Sequence, residues 1–106
     1  MIKKLCTLAT VLGLSVSVQA FEVEIPLTAD AKVFAKFIDE YPAVVNYFSK
    51  ASEQEIIEFY TSKFGQPLET IKEKDRTRVI FMDNDKVATV IVSQQGNAQQ
   101  VDVLVR

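Results

Sequence analysis

The chain has 106 residues, 12 of them Lys or Arg and 14 Asp or Glu, with no His, no Trp and a single Cys, at position 6. That inventory excludes a His/Cys metal site, a Cys–His or Ser–His nucleophile pair and a disulfide scaffold, and the length excludes a multidomain enzyme.

Met1 to Lys4 is a short basic head, and Leu5 to Val18 is an apolar run without a charge. Val18-Gln19-Ala20 then places small residues three before and immediately before a cut after Ala20, so residues 1–20 read as a secretory signal peptide. The apolar run is about 14 residues, short of the ~20 that span a bilayer. Cys6 stands at the start of the run, away from the cut, which argues against a lipid anchor. Removing 20 of 106 residues leaves 86, and the two lysines lost leave 10 basic against 14 acidic residues, a formal −4. The expected product is one domain over 21–106, periplasmic or secreted, with no stable membrane insertion. Its mild acidity argues against nucleic acid and anionic membranes, which reward clustered Lys and Arg.

Phe21 to Ile25 alternates and predicts a strand. Ala29 to Tyr41 carries Val33, Phe34, Phe37, Ile38 and Tyr41 at helical spacing between Thr28 and Pro42, which fits a helix. A strand over Lys32 to Ile38, turning at Asp39-Glu40-Tyr41-Pro42 into Ala43 to Ser49, fits equally. Glu53 to Phe64 is the clearest helix. Ser52 and Glu55 form a capping box, Ile56, Ile57, Tyr60 and Phe64 share a face, and Gly65 and Pro67 end it.

Leu68 to Lys74 predicts a strand that turns near Asp75. Arg78 to Asp83, Val87 to Ser93 and Gln99 to Val105 form a meander through tight turns at Asn84-Asp85 and Gly96-Asn97. Two-residue turns set Asp83 opposite Lys86 and Gln95 opposite Ala98. Val79, Phe81, Ala88, Val90, Val92, Val101, Val103 and Val105 then fall on one face, and a one-residue slip would scatter them. The expected fold class is α+β, an antiparallel β-meander packed against one long helix, with a second N-terminal helix as the alternative for 29–41.

The run from Ala43 through the Ser52 cap to Phe59-Tyr60, followed by Gly65 and the meander and preceded by Ala31-Lys32, resembles small uncharacterised exported α+β domains of bacteria. The resemblance implies a fold and an exported location, and no activity or functional residues.

Conventional acid–base groups are then carboxylates, Tyr and Lys. Glu22 and Glu24 share a strand face, while Asp39-Glu40 and Asp83-Asn84-Asp85 sit at turns, where they serve turn geometry rather than catalysis. Asp83 to Gln94 also fails as a calcium loop, with Ala88 where Gly is required and Gln94 where Glu is required. No catalytic residue, metal or cofactor is expected.

Lys72, Lys74, Arg76 and Arg78 recur every second residue and would form a basic row if extended, though a turn near Asp75 breaks it and Glu69, Glu73 and Asp75 offset it. The aromatics Phe34, Phe37, Phe48, Phe59, Phe64, Phe81 and Tyr60 are read as core, and Tyr41 and Tyr47 as core or rim, with ligand anchoring the alternative. The second sheet face carries Ile80, Met82, Val87, Ile91 and Leu104 among Arg78, Thr89, Gln100 and Asp102. Cover by the N-terminal segment is favoured there over association. The last strand, ending at Arg106, is a candidate edge for β-addition. The residues proposed for partner binding are Lys72, Lys74, Arg76, Arg78, Ile80, Met82, Ile91 and Leu104. The functional expectation is an exported, non-catalytic accessory or binding module, an adaptor or inhibitor acting on another envelope protein. The alternatives are a small carboxylate-dependent hydrolase and a homo-oligomeric structural component.

Overall fold

A computed structural model describes residues 21–106; the expected signal segment and Cys6 lie outside the described residues. The elements run β1 (Lys32–Phe37), β2 (Ala43–Ser49), α1 (Glu53–Phe64), β3 (Glu69–Lys72), β4 (Arg76–Asp83), β5 (Lys86–Gln95) and β6 (Ala98–Val105). The strands form one antiparallel sheet in the order β1-β2-β6-β5-β4-β3. Helix α1 carries the chain from β2 across to the opposite edge.

This corrects the expected fold class. Strands hold 50% of the described residues and the helix 14%, so the domain is predominantly β. It is not a meander packed against one long helix. Gly65, at φ 95°, ends α1 after 12 residues, about 18 Å of helix. The sheet has six strands because β1 and β2 extend it beyond β6.

No second helix forms over 29–41. The helix-like spacing there has another cause, a register shift between Val33 and Ala35 in β1. A bulge of this kind breaks the two-residue alternation. Phe34 stacks on Phe48 at 4.7 Å between ring centroids, and the shift carries Phe37, which pairs with Val44, onto that same face. A three-residue interval on one side of a strand thus imitates a helical stripe. The Phe21–Ile25 segment is not a strand either; it has no regular structure and makes one backbone bond, from the Val23 N–H to the Ile38 carbonyl (2.8 Å).

In the C-terminal half, Asp83 pairs with Lys86 and Gln95 with Ala98. Asn84 and Gly96 take φ near +60° at the two turns, a region that Asn and Gly enter at low cost. Val79, Phe81, Ala88, Val90, Val92, Val101, Val103 and Val105 are all buried on the inner face, joined by Val45 and Tyr47 of β2. Ile56 and Tyr60 of α1 complete this core, with Ile57, Phe59 and Phe64 packed at its margin. The Ser52 capping box is present in both directions: Glu55 N–H donates to Ser52 Oγ at 3.1 Å, and Ser52 N–H donates to Glu55 Oε1 at 2.9 Å.

Two tyrosines tie the layers together. Tyr60 Oη donates to the Pro26 carbonyl at 2.7 Å, which uses its only proton. At 2.9 Å from it, Tyr47 Oη must therefore be the donor to Tyr60. Helix, strand β2 and the N-terminal segment are linked in one chain of bonds. Tyr47, read from the sequence as core or rim, is fully buried. Replacing Tyr60 by Phe strands the Pro26 carbonyl and leaves the buried Tyr47 hydroxyl without an acceptor. Tyr47→Phe leaves the bond to Pro26 intact. Urea unfolding is expected to show a loss of about 1–3 kcal/mol for Tyr60→Phe and about 1 kcal/mol for Tyr47→Phe. Equal losses would contradict the assigned direction of donation.

Candidate interaction surface

Cross-strand partners project on the same side of a sheet, so the register fixes the composition of the outer face. One row of paired residues crosses all six strands: Ile71, Arg78, Ile91, Asp102, Asn46 and Ala35. A neighbouring row runs Glu69, Ile80, Thr89, Leu104, Val44 and Phe37. Met82 and Val87 pair beyond it. Met82, Phe34, Phe37 and Phe48 are 41%, 52%, 67% and 37% exposed, and Ile71, Ile80, Val87, Ile91, Leu104 and Val44 are half-buried. These side chains form an apolar sheet surface that no other described element covers.

Cover by the N-terminal segment does not occur on this side. Val23 is buried, and Ile25 and Leu27 pack on the core cluster of the inner face, leaving a groove of about 410 Å³ lined by these residues with Glu22, Glu24, Lys36, Ile38 and Val45. The segment is needed there because α1 packs on β4 and β5 and does not reach β1. The core reading of Phe34, Phe37 and Phe48 is corrected for the same reason. They stand on the open side. Tyr41 is 39% exposed, at the rim, with the Lys86 ammonium 4.2 Å from its ring centroid.

Of the residues singled out for partner binding, the structure brings Arg76, Arg78, Ile80, Met82, Ile91 and Leu104 onto this outer face. Lys72 pairs with Thr77, a buried residue of the inner side, and Lys74 sits at the hairpin tip. A turn closed by the Glu73 N–H on the Arg76 carbonyl (2.8 Å) divides the basic row. Lys72 Nζ then meets Glu53 at 2.9 Å, and Arg78 meets Glu73 at 2.9 Å, with Arg76 beside Glu73 and Asp75 at 3.6 and 3.9 Å. The last strand is not an edge: β6 lies between β2 and β5. Phe34, Phe37, Val44, Phe48 and Ile71 are the surface residues that sequence reasoning missed. For Val44 and Phe48 the signal was the alternation in Ala43 to Ser49, which is apolar on both sides.

In the middle of this face Asp102 accepts from Asn46 Nδ2 at 2.6 Å and from Gln100 Nε2 at 3.1 Å. Among the described residues no group of three or more acidic, His or Cys side chains converges as a metal would require. Burial, reinforced by Tyr47, pushes the Tyr60 phenol far above its usual range, so it stays a neutral donor and cannot act as a base. Comparison with protein-family models, with curated proteins and with solved structures finds no match to this chain.

Two carboxylates are structural. The Lys50 amide, with the Ser49 and Thr28 hydroxyls, holds the Asp30 carboxyl below its usual range. A hydrogen bond from Lys72, helped by Thr77, does the same for Glu53. Both folded pKa values are depressed. Their stabilisation is therefore complete above the unfolded carboxylate pKa, near 4, and is lost as pH falls through the folded value. Urea midpoints measured from pH 6 down to pH 2 are expected to fall below about pH 4, and less steeply in Asp30→Asn and Glu53→Gln. An unchanged slope in both variants would contradict these roles.

Proposed function

We propose that this chain is an exported, non-catalytic binding module that works through the open face of its sheet. The observation that carries the reading is the accessibility of Ile80, Met82, Ile91 and Leu104 together with Phe34, Phe37 and Phe48 on one surface. Exposed contiguous apolar patches of this kind mark association surfaces. Its polar centre already has internal hydrogen bonds, so contact with a protein surface need not leave Asn46 or Gln100 without a partner. The partner class is a folded protein surface within the cell envelope. Export rests on the basic head, the apolar run and the Val18-Gln19-Ala20 exit. Among the described residues no helix is long and apolar enough to cross a membrane.

Photo-crosslinking side chains placed in cells at Ile91 and Leu104 are expected to give protein adducts, whereas the same probe at Gln54, on the exposed side of α1, gives none. Failure of both face positions, or turnover of a substrate by the purified protein, would overturn the reading. Export has its own check. Mass spectrometry of the protein recovered from the envelope fraction is expected to show a chain that begins at Phe21, and an uncut chain retained in the cytoplasm would refute it.

A further inference from the structure

Resting on the open-face reading, we propose that the occupant of this surface is a second copy of the same chain, packed face to face so that two six-stranded sheets make a sandwich.

Sideways growth of the sheet is opposed at both edges. Strand β1 presents Lys32 and Lys36 and is bulged at Phe34. Strand β3 has four residues, with Glu69 at one end and Lys72 at the other. Charges, bulges and short strands are how edges resist pairing. On the face the charges stand among apolar rows, so contact is directed onto it.

Area is sufficient. Six strands about 4.8 Å apart and about seven residues long present roughly 550 Å² per copy, so two faces bury about 1,100 Å², above the ~1,000 Å² that separates specific interfaces from incidental ones.

Charge favours self-pairing. The outward charges balance, with Lys32, Arg76 and Arg78 against Glu69, Glu73 and Asp102. Arg78 and Asp102 flank Ile91 in the same row, on β4 and β6. Consider a two-fold axis parallel to the strands and midway between β5 and β6. Each β6 then lies over β5 of the second copy, and each β2 over its β4. Arg78 of one copy comes over the Asn46–Asp102 pair of the other, and symmetry supplies the reciprocal contact. In the same arrangement Val44 comes over Ile80 and Ala35 over Ile71, while Phe48 falls over the Arg76 guanidinium and Phe37 over Glu69. Arg78 keeps its bond to Glu73, since a guanidinium has five donors. Asp102, which a dry apolar partner would leave without a cation, gains one.

Sedimentation velocity on the purified protein, from about 1 μM to about 200 μM, is expected to show a concentration-dependent dimer. Arg78→Glu and Asp102→Arg are each expected to raise the dissociation constant about tenfold or more, and the double reversal to return it toward the wild-type value. Circular dichroism and thermal unfolding report whether each variant is folded. A wild-type monomer throughout that range overturns the proposal without any variant. So does a folded double reversal that associates no better than the single changes. If the protein stays monomeric yet crosslinks through Ile91 to a different chain, the second copy is refuted and the open-face reading survives. A monomer without crosslinks refutes both.

Discussion

Six strands make a sheet roughly 24 Å wide, and a three-turn helix about 18 Å long does not cover even one side of it. Helix α1 shields β4 and β5, and the strip over β1 and β2 is closed by Val23, Ile25 and Leu27. Both covering pieces are held to the same side. Tyr60 fastens the N-terminal segment through Pro26, the Val23 N–H fastens it to Ile38, and Asp30 fastens its end to Ser49 and Lys50. Nothing described remains for the other side. The open face is thus a consequence of how little helix the described residues contain.

The same shortage governs the chemistry. A reactive centre needs a desolvated acid, base or nucleophile beside a pocket. Here Tyr60, fully buried like Tyr47, spends its proton on a backbone carbonyl and accepts from Tyr47. Asp30 and Glu53, the carboxylates with depressed pKa values, are occupied in fixing a loop and in anchoring the first turn of α1 to β3 and β4. Glu22 and Glu24 border the groove together with Lys36. Tyr47, Tyr60, Asp30 and Glu53 thus hold the covering pieces in place.

The C-terminal half was legible in the sequence because its turns are local. Asn84-Asp85 and Gly96-Asn97 each fix a register within a few residues, and that register sorts ten-residue stretches into faces without knowledge of the rest of the fold. The helix was legible for the same reason, since Ser52, Glu55 and Gly65 act on backbone groups nearby. The N-terminal half was not. Whether β2 joins β6 depends on pairs such as Tyr47 with Val101, 54 positions apart, and no local signal encodes them. The bulge at Phe34 then gave β1 a helical spacing. Taking the aromatics as core followed from counting what a domain without disulfides needs. Valine met that need instead, which left three phenylalanines for the surface. Of the open face, the β4–β6 part was visible through the register, whereas the β1–β2 part depended on the unseen pairing.

Strand formation does not by itself demand Ile80, Ile91 and Leu104 on a wet surface. Threonine has comparable strand propensity, and Thr89, flanked by Ile80 and Leu104 in its row, shows that the sheet accepts it there. Charged residues are tolerated too, as Arg76 and Arg78 show on the same face of β4. An apolar face also carries a cost, because an uncovered patch promotes non-specific association. The edges of this sheet carry the usual protections against such contact, and the middle of the face carries Asp102 and the Arg76–Arg78–Glu73 group. Those charges lie where they would discriminate among partners, rejecting a surface that offers no cation opposite Asp102. A face that attracts through its apolar rows and selects through a few charges is the form expected of a specific interface rather than of an incompletely covered core.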